Sequence, residues 1–563
     1  MRRLASRRMA VTTVLAAAGL LAAACGSSGA GGGSKTTTGA NTPLIISDVT
    51  GQNWTCQFNP LNFAAWPQGG PSETGPIYEP LMFENVLTQK ISPWLATGYQ
   101  WSNGLKTLTF TIRTGVKFSD GVPMTPADVA YTFNLLNQNP ALDGWSLWQG
   151  VHGPLQSVTA QGNNVVLNFS APSPTYFYYV AGQVPILPQH IWSKLPLKTM
   201  STYPDKNPIG TGAYVVGRCS PSNVVYSANP RYWQPGLPAV KTVEWPTYLT
   251  NTPGNQCLIN GQCQWGAQYI PNIQQAYLAK NPAYHNWAPS IVSVALVFNH
   301  KLTNTPLANV KVRQAMALAI NRSQVGAIGE TGNESGAFQD GIALSYRSQG
   351  WVDTSMANSY FNDYAYNPAQ AVKLLEQAGY TKVVGGVREN SAGQKLSFAL
   401  TNNGGYSDWV ADATVIAQQL SRVGIQITQR NLSDPTTSEN NGTYQIGMAD
   451  QTGGPGPEYE FRQWLYGPNI GSTNYTQWND AATNALFNQY SVTNDPASQH
   501  AIVSKLEQVM LSQVPYIPVL GAVSWDQYST SQFTGWPTAQ DPYAQGQTGI
   551  PDWGWDLLHI KPA

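Results

Sequence analysis

Six histidines, His152, His190, His285, His300, His500 and His559, are the imidazoles from which a catalytic or metal centre would have to be built. A zinc hydrolase would hold two of them in a His-Glu-x-x-His string, and a serine hydrolase would present a Gly-x-Ser-x-Gly elbow. Neither string occurs. The histidines are scattered, and each reads as a surface or structural residue. Paired carboxylates for sugar hydrolysis converge only in three dimensions, so a cell-surface hydrolase stays as the alternative of another class. Gly210-Thr-Gly212 lacks the Gly-Lys-Ser/Thr ending and following helix of a phosphate loop. Beyond Cys25 there are four cysteines, Cys56, Cys219, Cys257 and Cys263. No Cys-x-x-Cys or nearby histidine pair accompanies them, so zinc is not expected. An even number in an exported chain predicts two disulfides. Cys257 and Cys263 are close enough to staple a helix end to the next strand, which leaves Cys56 with Cys219; sequence leaves the other pairings open. No cofactor is expected.

Export itself is read from the N-terminus. Arg2, Arg3, Arg7 and Arg8 precede an apolar run from about Met9 to Ala24. That run falls short of the roughly 20 residues a membrane-spanning helix needs. A basic segment, a short apolar core and small residues at its end make residues 1–24 a secretory signal peptide. Leu21-Ala-Ala-Ala-Cys25-Gly26 resembles a bacterial lipobox, which implies a lipidated Cys25 and anchorage at the outer face of the cell membrane. Residues 25–43 are rich in Gly, Ser, Thr and Ala. Such a segment cannot bury enough apolar surface to fold and reads as a flexible tether.

The body beyond it has no long apolar run. Thirty basic and thirty acidic residues cancel, and charged residues make up only 11% of the chain. That excludes the concentrated basic face of a nucleic-acid binder. The 19 Trp, 28 Tyr and 15 Phe suit either large cores or a wide ring-lined cleft.

Periodicity supplies the elements that must position any site. Leu108, Phe110 and Ile112 alternate as a half-buried strand. Asp120-Gly121 then turns the chain, and Thr125, Pro126 and Asp128 form a capping box at a helix start. Asn309 caps a helix whose Val312, Met316, Ala319 and Ile320 share one face. Asn367-Pro368 opens another, with Val372 and Leu375 inside and Gly379 as its stop. Ile416, Leu420 and Val423 line a third, which Gly424 ends before a strand at Ile425-Gln-Ile427. Strands alternating with helices predict α/β lobes.

Several strings of the chain resemble one family. They are Tyr78-Glu-Pro-Leu-Met-Phe83, Val116 to Phe133, Asn207-Pro-Ile-Gly-Thr-Gly-Ala-Tyr214, Ala228-Asn-Pro-Arg-Tyr-Trp-Gln-Pro-Gly236 and Val312 to Arg322. Taken in order, they resemble the family 5 (peptide/nickel type) solute-binding proteins of bacterial ABC importers, from about residue 75 to the C-terminus. The resemblance implies a two-lobed periplasmic-binding-protein fold of the large three-domain cluster, with a hinge-closing cleft. Its first lobe would comprise 44–81, 201–294 and 521–563, with an inserted domain at 82–200 and the other lobe at 295–520. It implies a monomeric, membrane-anchored receptor that captures a short peptide, with an oligosaccharide as the alternative, and hands it to the ABC permease subunits. Asp450, in Met448-Ala449-Asp450 before a Gly-rich stretch to Pro457, matches the aspartate that in peptide-binding members pairs with the α-ammonium. The arginine that some members carry six residues earlier is Tyr444 here. Trp66 lies in the loop that faces the ligand from the first lobe. Trp145 and Trp148 of the inserted domain, Tyr406 and Trp409 beside a Gly-Gly loop, and Trp464, Asn474 and Tyr475 beyond Asp450 complete the expected ligand set. Each ring can bury about 150–250 Å² against a side chain or a sugar face.

Overall fold

The structure, a computed structural model, describes residues 42–62, 75–145, 147–148, 155–289, 292–331, 335–356, 365–451, 453–522, 525–550 and 553–563. Cys25 and Trp66 lie outside them. Among the described residues no helix is long and apolar enough to cross a membrane.

Three sheets carry the architecture. A seven-stranded sheet runs in the spatial order Tyr284–Trp287, Asp526–Ser529, Trp265–Gly266, Leu44–Ser47, Thr242–Pro246, Asn223–Ala228, Tyr214–Ser220. Leu44–Ser47 is parallel to both of its neighbours, so three distant stretches of chain build one lobe. Its core is a train of indoles: Trp54 meets Trp245 at 5.1 Å, Trp245 meets Trp553 at 5.3 Å, and Trp265 meets Trp536 at 5.7 Å. Cys56 and Cys219 are bonded across 163 residues, and Cys257 and Cys263 across six. In the chain-entropy view the longer loop gives the larger restraint on the unfolded state.

A smaller antiparallel sheet, Ala96–Ser102, Thr107–Ile112, Asn164–Phe169 and Leu155–Gln161 in spatial order, packs the helix Pro126–Gln138 on one face. The alternation at Leu108, Phe110 and Ile112 is the strand Thr107–Ile112, with those three side chains buried. Asp128 completes the capping box by accepting from Thr125 N at 2.8 Å, and its other oxygen accepts from Gln189 N at 3.0 Å.

The second lobe is a six-stranded sheet ordered Ser335–Gly336, Tyr516–Ala522, Val292–Phe298, Ile446–Gln451, Ser397–Asn403, Gln426–Leu432. Successive residues of a strand face opposite sides. Val294, Leu296 and Phe298 therefore join the core under the helices Val310–Ala319, Pro368–Gln377 and Ser407–Ser421. Ala295 and Val297 join the core under Pro457–Leu465, Ala481–Ser491 and Pro496–Gln513. Cover on both faces explains why the central strands Val292–Phe298 and Tyr516–Ala522 are mostly apolar, whereas the edge strand Gln426–Leu432 is polar. The caps are where periodicity puts them: Asn309 accepts from Lys311 N and Asn367 from Gln370 N, each at 3.0 Å.

Four of the five family strings converge on one joint between the seven-stranded sheet and the smaller one, and the fifth, Val312 to Arg322, lies in the second lobe. Glu79 is 1% exposed and accepts from Trp94 Nε1 at 2.8 Å, Tyr232 Oη at 2.7 Å and Trp233 Nε1 at 3.1 Å. Asn229 Nδ2 donates to the Gly212 carbonyl at 2.9 Å, and Gly212 N to that of Ile77 at 2.8 Å. At Gly210 or Gly212 a Cβ would run into the Pro76–Ile77 backbone. Ser119 N donates to Gly210 O, and Arg231 Nη1 returns to Ser119 O, both at 2.9 Å. These residues are joinery; of the acids in Val116–Phe133, Asp128 holds its capping box and Asp120 pairs with His190 Nε2 at 2.7 Å.

Candidate ligand-binding site

Asp450 sits near the end of the strand Ile446–Gln451, where Val294 is its partner in register. Met448 and Ala449 are buried, whereas the Asp450 side chain is open to solvent. Burial nevertheless raises its pKa, with its own backbone amide pulling the other way. An exposed carboxylate with protein close around it makes Asp450 the starting point for a candidate cleft.

Its neighbours are identified by the charges they feel. Tyr406, between the strand Ser397–Asn403 and the helix Ser407–Ser421, has its hydroxyl pKa raised by burial and then by Asp450, Asp48 and Asp408. The Tyr475 hydroxyl is raised by burial and then by Glu439, Asp450 and Asp434. The Tyr444 hydroxyl donates to the Tyr475 carbonyl and so fixes that loop. Trp409 is half-buried on the lobe core, edge-on to Tyr406 at 5.2 Å. Asp450, Tyr406 and Tyr475 therefore share one neighbourhood.

Sequence reasoning missed two carboxylates there. Asp48 follows the strand Leu44–Ser47 of the seven-stranded sheet, and Thr548 Oγ1 donates to it at 2.7 Å. Burial pushes its pKa up to about 7 against that bond. Its signal was available: an acid just beyond the carboxyl end of a parallel strand stands where α/β sheets hold ligands. Glu439, on the short helix Thr436–Asn441, is pushed up to about 8 by burial, then by Asp450 and Asp434. No pattern in the sequence marks it.

Other expected ligand residues are placed elsewhere. Trp464 is 1% exposed and edge-on to Tyr516 at 4.9 Å, sealed in the core beneath the sheet. Asn474 is fully buried and organises its loop, its Nδ2 donating to Tyr466 O at 3.0 Å and Trp478 O at 2.9 Å, while its Oδ1 accepts from Thr476 Oγ1 at 2.9 Å. Neither can face a ligand, because packing and saturated hydrogen bonds occupy them. Trp145 and Trp148 pack, partly buried, against the first lobe's continuous core, and Trp148 Nε1 donates to Phe133 O at 2.7 Å.

The two lobes meet beside this cleft. Asn251 Nδ2 donates to Ser407 Oγ at 3.2 Å and Asp408 Oδ1 at 3.4 Å. Tyr269 Oη lies 3.3 Å from Gly329 O and 3.2 Å from Thr331 Oγ1, either of which can accept its proton. From the smaller sheet's side, Thr175 Oγ1 donates to Ser491 O at 3.1 Å, and Tyr178 lies edge-on to Tyr459 at 5.4 Å. Asp408 and Asp412, on the helix facing this seam, are pushed up by burial to about 6 and about 7. Among the described residues no group of three His, Cys, Asp or Glu side chains could hold a metal ion.

Raised carboxyls make stability depend on pH with a definite sign. Asp48, Glu79 and Asp412 titrate near about 7 when folded and Glu439 near about 8, against roughly 4 when unfolded. Between those values the folded chain binds more protons, so their stabilisation is complete below about pH 4 and is lost as pH rises through about 7–8. Thermal melts of the ligand-free protein are expected to shift downward between about pH 5 and about pH 8. A midpoint that climbs over that interval contradicts the assignment.

Comparison with known proteins comes out on one side. Residues 90–473 match the family described as bacterial extracellular solute-binding proteins, family 5. The glutathione-binding protein GsiB of Salmonella paratyphi A is 26% identical over 454 residues, covering 77% of this chain and 80% of GsiB. Among solved structures, a mannohexaose-bound periplasmic oligopeptide-binding protein from Thermotoga maritima superposes with a TM-score of 0.82 at 23% identity, covering 93% of this chain and 99% of that one. The oligopeptide-binding protein AppA from Bacillus subtilis, in complex with a nonapeptide, gives 0.76 at 18% identity, with coverages of 93% and 99%. Both share the fold.

Proposed function

This chain belongs to the bacterial extracellular solute-binding proteins, family 5, and from that premise we propose that it captures short peptides outside the cell and delivers them to an ABC permease. A lipid on Cys25 would hold it at the outer face of the membrane, with residues 25–43 as the leash. The lobe formed by 44–81, 201–294 and 521–563 closes against the lobe 295–520, with 82–200 as the inserted domain. A solute that contacts both lobes favours the closed form by its extra contacts there. The protein acts as a monomer, with no chemical step.

The observation that carries this reading is Asp450: a solvent-open carboxylate with protein close around it, flanked by Tyr406 and Tyr475. An α-ammonium satisfies such a group, and the two phenols offer apolar faces and hydroxyls to the first residues of a peptide.

An oligosaccharide is the second reading, favoured by the mannohexaose in the Thermotoga relative. A thermal-shift screen of the full-length protein against di- to pentapeptides and manno- and cello-oligosaccharides separates the two, because binding to the folded state raises the melting temperature. A shift with peptides supports the first reading. A shift with sugars and none with peptides overturns it.

A further inference from the structure

Resting on the reading of Asp450 as the capture residue, the contacts made just beyond it point to a second element of the site. Residues 82–200 share one continuous core with the first lobe, whereas the lobe 295–520 has cores of its own. The chain passes between the two twice, between Trp287 and Val292 and between Ala522 and Asp526. Contacts from 82–200 to the lobe 295–520 therefore cross a surface that neither a shared core nor chain continuity holds together. Several of them converge on the segment 454–462.

Tyr459, in the first turn of the helix Pro457–Leu465, is the centre of this contact. Its ring is half-buried, with Tyr178 edge-on at 5.4 Å and Tyr179 tilted at 5.9 Å. Three residues on, and so on the same helix face, Arg462 Nη2 donates to Ser491 Oγ at 2.7 Å, and the Ser491 carbonyl accepts from Thr175 Oγ1 at 3.1 Å. Gln89 Nε2 reaches Gln349 Oε1 at 3.1 Å and Pro455 O at 3.5 Å. Within its own lobe the Tyr459 ring packs on the loop after Asp450. Gly454 comes so close that a Cβ there would stand 2.2 Å from Tyr459 Cδ1. Tyr346 Oη donates to Gly454 O at 2.7 Å and accepts from Gly454 N at 3.0 Å. Gln451 Nε2, beside Asp450, donates to the carbonyl of Glu460, beside Tyr459, at 2.8 Å. The strand end that carries Asp450 is thus tied directly to the helix turn that carries Tyr459.

We propose that Tyr459 is a positioning residue for solute capture: Tyr178 and Tyr179 clasp its ring when the lobes close, and the clasp holds the Asp450 strand end against the bound solute. Residues 82–200 then act as a third jaw. The clasp forms with the solute in place, so it acts on escape more than on entry.

Titration calorimetry and stopped-flow fluorescence on the full-length protein test this, with Ala-Ala-Ala as the first probe and mannohexaose as the second. Tyr459→Ala is expected to weaken binding by about tenfold through faster dissociation, and Tyr459→Phe, which keeps the ring, to stay within about threefold of the wild type. Tyr179→Ala removes a clasp ring and leaves the lobe of Asp450 intact. It should give a similar loss, and the double variant Tyr179→Ala, Tyr459→Ala little more than either single one. Alanine variants that bind within about twofold of the wild type overturn the clasp and leave peptide capture standing. A loss carried by slower association, or one that Tyr459→Phe shares in full, also overturns the clasp. Binding of mannohexaose alone overturns peptide capture, and the same ratios then judge the clasp. A wild type that binds neither probe overturns both.

Discussion

Asp450→Asn is expected to weaken the binding of a short peptide by about 10- to 150-fold while leaving the melting curve of the ligand-free protein nearly in place or slightly raised. The estimate follows from losing the charge-assisted hydrogen bond, worth about 1.5–3 kcal/mol in a partly desolvated site, at about 1.4 kcal/mol per factor of ten. The fold should tolerate the change because the carboxylate is solvent-open and its pKa is raised by burial. Asparagine removes a charge that the folded state holds at a cost. Calorimetry on the variant and the wild type gives the ratio. An affinity unchanged within about twofold would remove Asp450 from ammonium recognition.

Glu79→Leu is expected to have the largest effect on folding of any single change considered. The leucine fills most of the volume but strands the indoles of Trp94 and Trp233 and the hydroxyl of Tyr232, which converge on the carboxylate within 3.1 Å. Each unpaired buried donor costs about 1–3 kcal/mol, and three together approach the whole stability of an ordinary domain, about 5–15 kcal/mol. Loss of soluble protein, or a melt lowered by about 10 °C or more, is the expected outcome. Glu79→Gln keeps one acceptor oxygen and should fall between. A Glu79→Leu protein that melts with the wild type would show that the joint is held by something else.

These two positions mark what sequence can and cannot reveal. The capped helices and the alternating strand at Leu108, Phe110 and Ile112 were legible because caps and periods are local. The family strings were legible too, yet their physical reason was not. Glu79 meets Trp94, Tyr232 and Trp233 across as many as 154 positions, and no spacing rule links such residues. Aromatic abundance left large cores and a ring-lined cleft undivided for the same reason. Six tryptophans, Trp94, Trp192, Trp245, Trp265, Trp464 and Trp553, are among the largest fully buried side chains, so that part of the aromatic content is core. Trp464 and Asn474 follow Asp450 in sequence, but the helix Pro457–Leu465 turns Trp464 inward and the loop after it buries Asn474. Asp450 itself stood out because its immediate string did. Asp48 and Glu439 reach the same neighbourhood from positions 48 and 439 of the chain, and only the pairing of two lobes brings them there.

The measurement closest to the central claim compares one tripeptide with its N-acetylated form by calorimetry on the full-length protein. Acetylation deletes the ammonium and leaves the backbone, side chains and carboxylate in place. If the cleft at Asp450 captures peptides by their α-ammonium, the free peptide binds and acetylation weakens it by about tenfold or more. Equal binding of the two forms would contradict the claim.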